Sequence, residues 1–133
     1  MPFDHAEGEV EMLEVGLMSL VRGAMGSEEA DLAHAADGSA RQDGLAVRRV
    51  RVPARPLSEV LDDHGIANVD LLVLDVEGWE VRALQGLDLD RHAPRFMLIE
   101  ARFRPEIEEL LGSRYAAEAE LSHHDVLYRR MTT

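Results

Sequence analysis

Polar and apolar positions alternate along Glu9-Val10-Glu11-Met12-Leu13-Glu14-Val15. That spacing predicts a strand with one buried face. Residues 22–44 lose the pattern and are rich in Gly, Ala, Ser, Asp and Glu. With so little apolar periodicity, they are expected to form a flexible loop or insertion. From Val47 to Val52, Val and Arg alternate with one slip, which predicts a second strand near a sheet edge. Pro53 and Pro56 then break the chain.

From residue 57 the pattern becomes regular. Leu57, Val60, Leu61 and His64 fall on one helical face, with Pro56 near the start and Gly65 just past the end. These are start and stop signals of a short amphipathic helix. Val69 to Leu74 is almost continuously apolar, as in a parallel-sheet strand buried on both faces. Val81, Leu84 and Leu87 give a helical stripe, and Phe96-Met97-Leu98-Ile99 a second apolar run. Pro105 opens a helix with Ile107, Leu110 and Leu111 on one face and Gly112 at its end. Two strand-like pieces, 115–121 and 126–131, flank the polar Ser122-His123-His124-Asp125, so a terminal hairpin is expected. Helix, strand, helix, strand, helix is the order of an open α/β sheet with right-handed crossovers.

Composition narrows the function. The 133 residues suit about one domain. Cysteine is absent, which excludes a disulfide framework and a thiolate metal site. No apolar run is long enough to span a bilayer, and the acidic start, MPFDHAEGE, is not a secretory signal; a cytoplasmic chain is expected. The net charge is -12, which argues against nucleic acid and anionic membranes as partners. All 14 basic residues are arginine. Residues 1–45 hold ten acids and two arginines, so the composition shifts near residue 46.

Ligands of open α/β sheets bind beyond the carboxyl ends of the strands. The first buried run ends in Asp75-Val76-Glu77-Gly78-Trp79-Glu80 and the second in Glu100-Ala101-Arg102. Adjacent strands would bring Asp75, Glu77 and Glu100 into one crevice, where partial burial tunes a carboxylate towards base behaviour. Gly78 permits a tight turn and leaves backbone N–H groups open to a ligand. Two alternatives stay open: Asp75 or Glu77 caps the next helix, and Glu100 pairs with Arg102 or Arg104. Trp79 suits core packing or a pocket wall. Arg48, Arg49 and Arg51 read as a solvated strand face. His123-His124 with Asp125 resembles a metal cluster, but in a hairpin turn adjacent side chains are expected to point apart; His5, His34, His64 and His92 form no ligand-spaced pair, so no metal site is assigned. No phosphate-loop pattern occurs.

The segment Val69-Asp70-Leu71-Leu72-Val73-Leu74-Asp75-Val76-Glu77-Gly78-Trp79-Glu80, followed by Leu84-Gln85-Gly86-Leu87, resembles the signature of FkbM-type methyltransferases. That signature reads D-L-L-K-I-D-V-E-G-A-E followed by V-L-x-G. Val52 to Leu61 resembles the family's lead-in, and Pro94 to Glu100 its next strand. The resemblance covers about 46–131. It implies a Rossmann-like class I methyltransferase sheet that transfers a methyl group from S-adenosylmethionine to a hydroxyl of a small molecule or sugar. It places Asp75 near the transferred methyl group as candidate base, with Glu77 next. Asp75 and Gly78 would touch the cofactor; Trp79, Glu80 and Glu100 would line the acceptor side. Val73 stands where the family has lysine, and Trp79 where it has a small residue.

The family's opening D-x-G-A-x-x-G loop and the acid that holds the ribose are absent. The expectation is therefore the C-terminal half of the α/β domain over 46–133, behind an acidic leader, 1–45, with one strand and a flexible loop. S-adenosylmethionine binding by this chain alone is not expected, and a bared sheet edge would favour a homodimer or a complementing chain. The alternatives are a non-catalytic α/β remnant that binds a partner and, last, a carboxylate-based metal enzyme.

Overall fold

The structure, a computed structural model, describes residues 8–132. His5 and most of the acidic start read above lie outside them. The described chain is mixed α/β, with two sheets and four helices. It divides into two compact units. One holds the residues up to Arg55 together with Glu77–Trp79; the other holds Pro56–Val76 and the chain from Glu80 onward. Among the described residues, no helix is long and apolar enough to cross a membrane.

The first unit contains β1 (Glu9–Glu14), β2 (Leu20–Val21), α1 (Glu28–Arg41) and β3 (Arg48–Pro53). Its sheet is antiparallel in the order β2-β1-β3, so β3 is an edge strand, as its sequence predicts. The three arginines of β3 meet acids of β1: Arg48 with Glu14 at 2.9 Å, Arg49 with Glu11 at 3.1 Å and Arg51 with Glu9 at 3.1 Å. The Glu11 and Glu28 carboxylates hold the Arg49 guanidinium above its ordinary pKa.

The expected flexible loop is instead largely helix. Ser27 caps α1, its Oγ accepting from the Ala30 N–H at 3.1 Å, and Glu28, Glu29 and Asp31 suit the positive end of the helix dipole. The buried face consists of Asp31, Ala35 and Gly38, a helical stripe of residues that do not register as apolar. Gly38 is small because it must be: a Cβ there would lie 2.8 Å from that of Met18. Asp31 is buried because it has work to do, accepting from the Gly23 N–H at 2.6 Å and the Met25 N–H at 2.9 Å.

The second unit contains α2 (Leu57–Asp63), β4 (Leu71–Leu74), α3 (Glu80–Gln85), β5 (Phe96–Glu100), α4 (Arg104–Leu111), β6 (Tyr115–Glu120) and β7 (Asp125–Arg130). Helix α2 ends as read. The Gly65 N–H donates to the Asp62 carbonyl and the Ile66 N–H to that of Leu61, with Gly65 at φ +65°. This left-handed glycine cap satisfies two terminal carbonyls. The sheet order is β4-β5-β7-β6, with β4 and β5 parallel and the other pairs antiparallel. The last two strands form the expected hairpin.

Met97 and Ile99 of β5 and Val126 and Tyr128 of β7 form the core with Leu84, Ile107 and Leu111 of the helices. Strand β4 departs from expectation. Leu74 is buried, but Leu71 and Val73 are 53% and 60% exposed. The helices share a core with the Leu74 face, β4 is the sheet edge, and Leu71 and Val73 project to the other side. An apolar run therefore marks a strand here without marking burial on both faces.

Candidate functional site

The ends of the parallel pair supply the first part of the site. Leu74 pairs with Ile99, so Asp75 and Glu100 follow at the same sheet edge. Their carboxylate oxygens come within 4.8 Å of each other. Asp75 is exposed and Glu100 half-buried. The Arg102 Nη2–H donates to Glu100 Oε1 at 3.3 Å, which realises one of the two ion pairs considered from sequence. Arg104 pairs elsewhere, with Glu108 at 2.7 Å and Glu120 at 2.6 Å. Ionised carboxylates are acceptors only, so this pair suits hydroxyl donors, and a carboxylate within reach of such a proton can take it.

Glu77, Gly78 and Trp79 belong to the first unit. Glu77 has φ +51° and Gly78 φ +94°. A left-handed backbone costs a non-glycine residue about 1–2 kcal/mol, so the turn needs support. Glu77 Oε2 lies 2.9 Å from His34 Nε2 of α1. Gly78 is packed by the chain itself: a Cβ there would sit 2.6 Å from the Ala24 carbonyl oxygen. The side of Gly78 on which a side chain would stand is thus filled by Ala24. Trp79 packs on the cluster of Leu13, Val15, Leu20, Ala24 and Ala35, the core role open to it from sequence.

Glu80 begins α3 and is 1% exposed. Its Oε1 accepts from the Val76 N–H at 3.0 Å, reaching back across the turn as a helix-start acid does. Its carboxylate is buried at the start of α3.

Two histidines passed over for lack of ligand spacing take specific positions. His34 meets Glu77. His92, buried, has Nδ1 2.9 Å from Ser58 Oγ and Nε2 3.2 Å from Asp62 Oδ1. This looks like a serine–histidine–aspartate triad. However, Ser58 is buried and its Oγ also accepts from the Asp88 N–H at 2.7 Å, so the group pins α2 to the segment after α3. No sequence spacing announces either contact, because each joins segments far apart in the chain. The His123 and His124 rings, expected to point apart, lie 4.3 Å apart, because a turn does not keep the alternation of a strand. A cavity of about 580 Å³ bordered by Ala93, Arg114, Tyr115 and Arg130 contains none of the site residues read from sequence.

A mixed α/β architecture with acids at the carboxyl ends of a parallel strand pair is compatible with a methyltransferase-like fold. The methyltransferase FkbM domain matches residues 5–129. The chain therefore belongs to the FkbM methyltransferase family. Neither the curated proteins nor the solved structures compared with it give a match.

Proposed function

We infer that the chain serves O-methylation, with S-adenosylmethionine as methyl donor and a hydroxyl of a small molecule or sugar as acceptor. The observation that carries this is the approach of Asp75 and Glu100 within 4.8 Å at the ends of β4 and β5, in a chain of this family. S-adenosylmethionine, when bound, supplies an electrophilic methyl group on a sulfonium. Asp75 fits a place beside that cation, being an exposed carboxylate at a strand end. Gly78 would meet the cofactor through its backbone, since Ala24 fills the side on which a Cβ would stand.

Transfer needs the acceptor oxygen in line with the methyl group and a base for its proton. Asp75 takes that proton in this proposal, and Glu77 is the next candidate. Glu100, held by Arg102, orients an acceptor hydroxyl by accepting its hydrogen bond. Trp79 and Glu80 act on the acceptor side indirectly, by fixing the turn between β4 and α3.

The test is calorimetry with S-adenosylmethionine, followed by transfer of its labelled methyl group to a panel of sugar and small-molecule hydroxyls. Asp75→Asn is expected to lower the transfer rate by about 10²-fold or more. An unchanged rate sinks the assignment of the base.

One observation favours a second reading, a module completed by another polypeptide. Leu71 and Val73 leave an apolar surface on an edge strand, and unpaired strand edges invite pairing. A second copy of the chain or a complementing chain would cover it.

A further inference from the structure

His34 has no part in the chemistry described so far. It lies on α1, and its Nε2 stands 2.9 Å from Glu77 Oε2, with the two side chains 10% and 17% exposed. Nε2 makes no aligned hydrogen bond, so the contact is a close approach of imidazole to carboxylate, attractive when the ring nitrogen carries a proton. The residue it meets is unusual. Among the described non-glycine residues only Glu77 and Asp43 have positive φ. A strained backbone persists where its surroundings over-determine it, and such positions cluster at functional sites.

The surroundings are consistent with that. Gly78, at φ +94°, is pressed against the Ala24 carbonyl. Trp79 packs on the cluster of Leu13, Val15 and Leu20. Three successive signature residues are thus seated on the first unit by a histidine–carboxylate contact, a backbone approach and an apolar contact. Of the three, only the histidine contact acts on a carboxylate that is a candidate for the chemistry.

We propose that His34 is a positioning residue: through Glu77 it holds the Glu77–Gly78–Trp79 turn in its left-handed form and fixes the direction of the Glu77 carboxylate. The catalytic consequence rests on the methyl-transfer function inferred above; the structural one does not. Neither Asp75 nor Glu100 takes part in it.

Trp79 is the only tryptophan of the chain, so its fluorescence reports the seat of the turn without any ligand. His34→Ala is expected to shift Trp79 emission to longer wavelength with the far-ultraviolet circular dichroism unchanged. His34→Gln, which keeps an N–H donor at similar reach, is expected to return the emission to the wild-type position. Glu77→Gly removes the carboxylate while suiting the backbone, and its shift should match that of His34→Ala. The double variant should add little to either, since coupled residues are non-additive.

In methyl transfer, His34→Ala should lower kcat by about tenfold or more and leave the KM for S-adenosylmethionine within about twofold, and His34→Gln should recover most of the loss. Unmoved emission in His34→Ala, no recovery in His34→Gln, or additive single variants each overturn the proposal. A wild-type chain that transfers nothing bears on the methyl-transfer reading alone, and the emission series still decides whether His34 seats the turn.

Discussion

A methyl group added at Gly78 would have nowhere to go. The Cβ would meet the Ala24 carbonyl at 2.6 Å, and φ +94° is itself foreign to an L-residue. Gly78→Ala should therefore destabilise the chain by about 2–4 kcal/mol, read from urea denaturation followed by far-ultraviolet circular dichroism. A loss under about 0.5 kcal/mol would mean that the turn relaxes freely. At this scale the sequence was a partial guide. A glycine in a tight turn between strand and helix was legible. Its reason, a backbone that comes from residue 24, was not, because sequence spacing carries no information on distant close approaches. Glu80 illustrates the same limit. An acid beside a candidate site was legible; its burial and its bond to the Val76 N–H were not.

Elements were legible where hydrophobic periodicity and end signals agreed. Helix α2 has both, and its Gly65 cap closes as predicted. The parallel pair and the hairpin followed from two apolar runs and a polar turn. Helix α1 escaped because its inward face is made of Ala35, Gly38 and a carboxylate, so its burial leaves no hydrophobic stripe to detect. Strand β4 misled in the opposite sense: Leu71 and Val73 are apolar yet exposed, because periodicity does not say whether a second layer exists. The edge has a measurable consequence. Leu71→Lys with Val73→Lys should reduce concentration-dependent association in sedimentation, since lysine blunts edge pairing. The urea midpoint should barely change, as exposed substitutions are usually worth within about 0.5 kcal/mol. Association that persists unchanged would show that β4 takes no part in it.

The molecule as a whole carries its charge unevenly, yet much of the acid is paired. Glu9, Glu11 and Glu14 meet the arginines of β3. Asp62 and Asp88 are held below the usual carboxylate range by hydrogen bonds to Arg91. A lowered folded-state pKa contributes stability above the ordinary carboxylate value and loses it as pH falls through the folded one. At the alkaline end, burial and then Glu108 push the Tyr128 hydroxyl from 10.0 up to about 12. Here the sign reverses: the contribution is complete below pH 10 and is lost as pH rises towards 12. Denaturation midpoints should fall across that window, and Tyr128→Phe should flatten the fall. A wild-type profile level from pH 10 to 12 would contradict the burial of the phenol.

Glu77–Trp79 pack with residues that end at Arg55, and this imposes an order on biosynthesis. As the chain leaves the ribosome, β1, β2, α1 and β3 are all made before Trp79, which packs on their core. The N-terminal sheet must wait, with that surface uncovered, until α2 and β4 have also emerged. A ribosome paused between Arg55 and Glu77 would expose an incomplete core, where chaperones and proteases find their targets.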